Sequence, residues 1–275
     1  MDLSIIILNY KTRRLVKYAL QHLQQTVSGL SYEIIVVDNG SNDGIGTMLA
    51  EEFPAVRFIQ TGSNLGFATG NNIGMKNALG EYIMILNPDI FVLPQAVNKM
   101  LDYMKQHPEI GMLGPKLMNG NRTIQYSCRT FIRPLTVLYR RTFLGRTKTG
   151  QKHLKEYLMQ NESHDQIRPV DWIMGACQLV RKKDLDKVGM YDQRFFLYVE
   201  DMEWCRRFWM NGLQVVYYPQ AEMIHLHEQG SATSLWGFLK KWSPTVRMHI
   251  SSYIKYWLKY FRNNNYGSAP TTRIN

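Results

Sequence analysis

Apolar residues fall in short blocks separated by polar turns, and their spacing alternates between two periods. Leu3–Leu8 is a short run rich in β-branched residues, consistent with a fully buried parallel strand. Lys11–Gln25 follows, with Leu15, Ala19, Leu20 and Leu23 at helical spacing. Further strands are predicted at Glu33–Val37, Val56–Gln60 and Tyr82–Leu86, and helices at Met48–Phe53, Asn71–Leu79 and Gln95–His107. Such alternation implies an α/β fold built on a mostly parallel, doubly wound sheet flanked by helices.

The second half is less regular. Arg122–Arg168 is basic and polar, which predicts an insertion or flexible flap. Trp172–Val180, Gln214–Tyr218 and Glu222–Leu226 read as strands, and Glu200–Asn211 as a helix stopped at Gly212. From Ser234 to Arg262 the chain reads as helical again, interrupted near Pro244. The expected organisation is one domain over residues 1–230 and a basic, aromatic helical tail over 231–275.

Composition fits a chain of 275 residues with one substantial core, 45% hydrophobic and 20% charged. The three cysteines, Cys128, Cys177 and Cys205, are odd in number and widely spaced, which argues against a disulfide framework or a zinc site. That cysteine pattern fits a reducing cytoplasm, and Met1–Leu8 lacks a basic leader and is too short for a signal peptide or a membrane span. The net charge of +11 is uneven. Nine Lys/Arg and no Asp or Glu lie between Arg122 and Lys155, and seven more basic residues follow Glu228 with no acid among them. Two such blocks suit either a polyanionic partner or simply a solvated basic face.

Ligands in an open parallel sheet bind beyond the carboxyl ends of its strands. Three predicted strand ends release polar residues there: Asn9-Tyr10, Asp38-Asn39-Gly40-Ser41 and Asn87-Pro88-Asp89. Asp38 would read a pyrimidine N–H or a ribose hydroxyl, although Asp-Asn-Gly-Ser is also a good turn by itself. The run Asn64-Leu65-Gly66-Phe67, with Gly70 and Asn71, precedes a helix, where glycines and free N–H groups suit a phosphate. Neither the dinucleotide fingerprint nor the Walker pattern is present. Pro88 cuts its strand and leaves Asp89 at the edge, a position suited to Mg²⁺ or Mn²⁺ or to stabilising the turn. Glu200-Asp201 follows the aromatic run Phe195–Tyr198. These acids either favour a helix start or serve as a desolvated general base. His225 and His227 share one side of their strand, as metal ligands or as structural histidines.

In this order the motifs resemble glycosyltransferase family 2, inverting enzymes of the GT-A fold, over about residues 2–230. The elements are Ser4–Tyr10, Val36–Ser41, Asn64–Phe67, Leu86–Asp89, Gly175-Ala176 and Phe195–Asp201. The Asn-Leu-Gly-Phe and Leu-Asn-Pro-Asp forms are most similar to bacterial rhamnosyltransferase-like members that build surface polysaccharides. The resemblance implies a UDP- or dTDP-sugar donor, with Asp38 on the base and Asn9 and Tyr10 lining that pocket. Asn39, Asn64, Gly66, Asn71 and Asn87 join the donor side. Asp89 becomes the metal carboxylate, completed by His225 or His227, and Asp201, beside Glu200, the catalytic base. Trp172, Gly175 and Ala176 would line the acceptor side. Asn87 stands where the family usually carries the first Asp of Asp-x-Asp, which removes one negative charge.

The tail carries Ile250, Ile254, Trp257 and Phe261 at helical spacing, with Lys255, Lys259 and Arg262 on another face. That composition predicts a helix on the inner face of an anionic membrane, where a lipid-linked glycan acceptor would be met. The competing expectation is a helix packed on the domain or on a second subunit. Rival functions are a sugar-phosphate nucleotidyltransferase, a non-catalytic membrane scaffold and a basic nucleic-acid binder. The first lacks its glycine-rich, arginine-containing loop after the first strand, and buried strands ending in carboxylates speak against the last.

Overall fold

A computed structural model describes residues 1–226 and 244–261. Four parallel strands open the chain: β1 (Leu3–Asn9), β2 (Tyr32–Asp38), β3 (Arg57–Gln60) and β4 (Tyr82–Leu86). They lie in the order β3-β2-β1-β4, with helices α1 (Arg13–Thr26), α2 (Ile45–Glu52) and α3 (Gly66–Asn77) in the connections, and α4 (Ala96–Gln106) follows later in the chain. Register sets Asn9 beside Asp38 and Asp38 beside Gln60, so the strand ends align along one edge.

The largely apolar run of β1 has a packing cause. Leu3, Ile5 and Ile7 join one core with Leu20, Leu23, Met100 and Leu101. Ile6, pointing the other way, joins a second core with Ile35, Ile83, Trp204 and Phe208. A strand covered on both faces takes apolar side chains at nearly every position, and the buried polar exception, Ser4, donates to Glu33 Oε1 and accepts from the Gly80 amide.

The second half turns the sheet mixed. Its elements are β5 (Ile90–Val92), β6 (Ile110–Met118), β7 (Ile124–Gln125), β8 (Cys128–Arg129), α5 (Pro134–Arg141), α6 (Lys148–Tyr157), β9 (Arg168–Pro169), β10 (Trp172–Ile173), β11 (Cys177–Arg181), α7 (Leu185–Val188), α8 (Glu200–Met210), β12 (Gln214–His225) and α9 (Pro244–Phe261). The sheet continues β4-β11-β6-β12-β5. Here β11 runs antiparallel to β4 and β6, β12 runs parallel to β6, and β5 runs antiparallel to β12. The parallel arrangement expected from the alternation therefore describes the first four strands.

Four local differences from the sequence reading have physical reasons. The strand expected over Trp172–Val180 is two strands, β10 and β11, separated by a turn at Gly175-Ala176. The two strands expected before and after Pro219 are one strand, β12, which absorbs the proline in a register shift between Tyr218 and Glu222. The unpredicted β6 contains Gly111, Gly114 and Pro115, residues that read as strand breakers. The basic segment expected as an insertion or flap carries two helices, α5 and α6, tied by the 2.7 Å contact of Thr136 Oγ1 with His153 Nε2.

The tail helix α9 packs on the domain. Ser252, Tyr253, Tyr256 and Tyr260 are buried, whereas Ile254 and Leu258 are exposed. Lys255 and Lys259, expected on a face apart from the apolar one, bond to the Arg194 carbonyl and to the Asp192 and Glu203 carboxylates. No helix among the described residues is long and apolar enough to cross a membrane.

Candidate active site

The aligned ends of β1 and β2 are held by a buried polar knot. Asn9 Nδ2 donates to Asp38 Oδ1 (2.9 Å), Ser41 Oγ (3.0 Å) and Asp43 Oδ2 (3.2 Å). Its Oδ1 accepts from the Thr12 amide and hydroxyl, so the Asn9 side chain serves both the strand end and the entry to α1. The Asp38 carboxylate also accepts from the Ser41 amide, which fixes the turn that follows β2. Tyr10 projects beyond this knot with 43% of its surface exposed.

A second clamp reaches the Asn64–Phe67 run. Asn39 Oδ1 accepts from the Leu65 amide, and its Nδ2 donates to Asn64 Oδ1 and the Gly66 carbonyl. Gly66 has φ +84°, and an added Cβ would lie 2.4 Å from the Phe196 carbonyl oxygen, which also accepts the Phe67 amide at 2.7 Å. Glycine is needed there on both counts. The contact joins the Asn64–Phe67 loop to the segment that leads into Glu200-Asp201.

That segment is backbone-strained. Tyr198 and Val199 have φ of 69° and 77°, a region that a β-branched residue rarely adopts. Val199 then caps α8, whose first turn carries Glu200, Asp201 and Glu203. Asp201 Oδ1 accepts from the Met202 amide (2.8 Å) and Oδ2 from the Gly175 amide (3.0 Å). On the other side of the same turn, the Ala176 carbonyl accepts the Asn87 amide (2.9 Å). A single tight turn thus links Asp201 with Asn87-Pro88-Asp89.

Electrostatics set these acids apart. Burial pushes the Glu200 carboxyl well above the usual carboxylate range, and the neighbouring Asp201 charge adds to the push. Burial also raises Asp201, against the Gly175 and Met202 amides and the Arg129 guanidinium, which favour its charged form. Glu200 Oε2 is buried with no hydrogen-bond partner among the described residues, consistent with a protonated carboxyl.

Beyond the turn, Asp89 Oδ2 lies 3.3 Å from His225 Nε2. His225 Nδ1 faces Gln125 Oε1 at 2.6 Å, while the Gln125 amide nitrogen donates to Asn119 Oδ1 at 3.4 Å. With Gln125 Oε1 as the acceptor the imidazole proton sits on Nδ1, the tautomer whose Nε2, toward Asp89, is able to ligate. A carboxylate oxygen and an imidazole lone pair facing each other are a donor set suited to a divalent cation.

The glycosyl transferase family 2 sequence profile matches residues 4–189. The chain belongs to that family. An N-acetylglucosaminyl-diphospho-decaprenol L-rhamnosyltransferase of Mycobacterium tuberculosis is 31% identical over 224 residues, covering 74% of this chain and 71% of the relative. Rhamnosyltransferase WbbL of Escherichia coli is 26% identical over 261 residues, covering 92% and 91%. Among solved structures, GalNAc-T7 with UDP, GalNAc and Mn²⁺ superposes with a TM-score of 0.67 at 16% identity, over 99% of this chain and 52% of that one. A Pyrobaculum calidifontis mannosyltransferase with GDP-Man and Mn²⁺ gives 0.58 at 16% identity, over 83% and 58%. This chain therefore spans a little over half of each solved structure, and what it shares with them is the GT-A fold of this family 2 domain.

Several expected site residues of this family 2 member act through the backbone or from behind the surface. Gly175 and Ala176 are buried and contribute main-chain groups. Trp172 is 6% exposed, donates its indole N–H to the Thr130 carbonyl and backs the Arg129 guanidinium at 5.1 Å. Asn71 is buried; its Nδ2 bonds the Phe67 carbonyl, and its Oδ1 has no partner among the described residues. An orphaned acceptor of that kind suits a ligand or a water. His227 lies outside the described residues.

Other residues went unnoticed in the sequence. Arg129 is one of nine cations in its block, and nothing in that run marks it as the one beside Asp201. Ser41 and Asp43 lie next to Asp38, but only the fold aims them at Asn9. The α9 contacts are equally hidden: Ser252 Oγ donates to the Leu197 carbonyl (3.0 Å), and the Tyr198 ring stacks on His249 with centroids 3.6 Å apart. Glu203, with no exposed surface, accepts from Arg207, Lys259 (2.6 Å) and Tyr260 (2.8 Å). Through these bonds α9 fastens the strained segment that carries the acid pair.

Proposed function

We propose that this glycosyltransferase moves a sugar from a UDP- or dTDP-sugar to a lipid-linked glycan acceptor with inversion at the anomeric carbon. Rhamnose is the sugar named in both relatives above and the first donor to test. The observation that carries the reading is the Gly175-Ala176 turn, bonded to Asp201 on one side and to Asn87 on the other.

The Asp201 carboxylate takes the acceptor hydroxyl proton as that oxygen attacks the anomeric carbon. The nucleoside diphosphate leaves from the opposite face, so one displacement inverts the centre. The Gly175 and Met202 amides hold the base in orientation, and burial of both acids keeps water from competing for it. Tyr10, Asn9 and Asp38 form the base end of the donor site, and Asn39, Asn64, Gly66, Asn71 and Asn87 its diphosphate and sugar end. Arg129 adds positive charge near the departing group. Asp89 and His225 would hold a divalent cation, Mg²⁺ or Mn²⁺, which when bound neutralises charge on the diphosphate.

Thermal shifts of the full chain with dTDP-rhamnose and UDP-sugars, with and without Mn²⁺, test donor and metal together. At about a hundredfold excess over Kd, a stabilisation of roughly 5–10 °C is expected. It should require the cation and be lost in Asp89→Asn. Absence of a shift with every nucleotide sugar would overturn the reading.

A further inference from the structure

The α5–α6 lobe presents a surface that the transferase site does not explain. Between Arg122 and Lys155 there are nine basic residues and no acid. Arg133, Arg146 and Lys148 are exposed, and among the described residues none of the three forms an ion pair. Interleaved with them are large apolar side chains turned to solvent: Phe143 is 68% exposed, Leu135 54% and Leu138 42%. Leu135 and Leu138 are three apart on one face of α5, and Phe143 follows just beyond the helix. The lobe is nevertheless built rigidly. A Cβ on Gly145 would lie 2.1 Å from the Tyr139 carbonyl oxygen, and one on Gly150 would lie 2.2 Å from that of Leu144, so its turns close on bare backbone.

We propose that this lobe is the face that docks on an anionic bilayer, with Leu135, Leu138 and Phe143 entering the headgroup boundary and Arg133, Arg146 and Lys148 meeting lipid phosphates. The combination decides the partner. Nucleic acid rewards the cations alone, through its phosphates, and gives no reason to hold three aliphatic and aromatic side chains in water. A membrane interface takes both. The neighbouring helix extends the surface: Arg140 Nη1 donates to Tyr253 Oη of α9 at 3.5 Å, and α9 exposes Ile254 and Leu258. The lipid contact thus moves from the tail helix, whose tyrosine face is buried on the domain, to the lobe beside it. For its biological role the proposal rests on the lipid-linked acceptor reading.

The test is co-sedimentation of the full chain with phosphatidylcholine vesicles, with and without phosphatidylglycerol, in the absence of donor and acceptor. The wild type should bind only the anionic vesicles and be released by salt. The triple variant Arg133→Gln, Arg146→Gln, Lys148→Gln should bind roughly a hundredfold more weakly. Phe143→Ser should weaken binding about tenfold with charge unchanged. All four changes fall on exposed side chains, and an unchanged melting temperature checks the fold. Failure of the wild type to bind anionic vesicles, equal binding by the triple variant, or retention by RNA with none by vesicles would each overturn the proposal. Donor-induced thermal shifts are read separately, so loss of vesicle binding and loss of the transferase reading are distinguishable.

Discussion

At position 201 opposing influences act on one carboxylate. Burial and the adjacent Glu200 disfavour two charges side by side, while two amides and Arg129 favour charge on Asp201. The arrangement favours the proton on Glu200 and leaves Asp201 as the proposed base. A base works only when deprotonated, and its raised pKa means that activity is lost at a higher pH than an ordinary aspartate would give. The acid limb of kcat/KM is therefore expected above about pH 4, and it belongs to the pair because the two acids titrate together. Asp201→Asn should lower kcat by about 10²–10⁴-fold with donor KM unchanged, and the limb should vanish. A limb at or below pH 4, or near-normal turnover by the variant, would assign the proton transfer to another group.

Two contacts decide how the elements meet. Gly66 lets the start of α3 touch the Phe196 carbonyl, joining the Asn64–Phe67 loop to the acid segment. Gly66→Ala combines a positive φ, worth about 1–2 kcal/mol for an L side chain, with a direct clash against backbone. Urea denaturation should show a loss of about 2 kcal/mol or more, and donor affinity should fall with it. Lys259 is the corresponding contact from α9. Lys259→Met removes one of the partners of buried Glu203; because Arg207 remains, the cost is expected near about 3 kcal/mol, the lower end for a broken buried pair. Turnover should fall while donor binding holds, and Lys259→Arg should restore part of it. Equal turnover by the methionine variant would free α9 of any part in placing Asp201. Neither contact is legible in the sequence. The Asn-Leu-Gly-Phe run announces a turn before a helix, but its partner lies about 130 residues away.

Across the whole molecule, legibility follows the source of each element's order. Three of the first four strands, β1, β2 and β4, are buried along nearly their whole length, so their apolar runs declare them, whereas β3 is a half-exposed edge strand; the register that aligns Asn9 with Asp38 follows from parallel pairing. The strand β6 is fixed by its place between β11 and β12 despite its glycines and proline, and no local pattern signals that. The site divides the same way. The strand-end residues and Glu200-Asp201 are visible as motifs, because turns and helix starts have local chemistry. Arg129, Gln125 and the α9 bonds exist only through long-range packing.

The family profile ends at residue 189, just before the Asp192–Val199 segment, α8 and α9. These three are bonded to one another by Lys259, Ser252, Tyr256 and Tyr260. In a chimera between relatives, α9 cannot be exchanged alone: a foreign helix lacking the lysine would leave Glu203 short of a partner. Crossovers near residue 190 that carry everything downstream keep the set intact. The piece that holds the proposed base in place is thus best exchanged as a unit, and shuffling experiments should respect its seam.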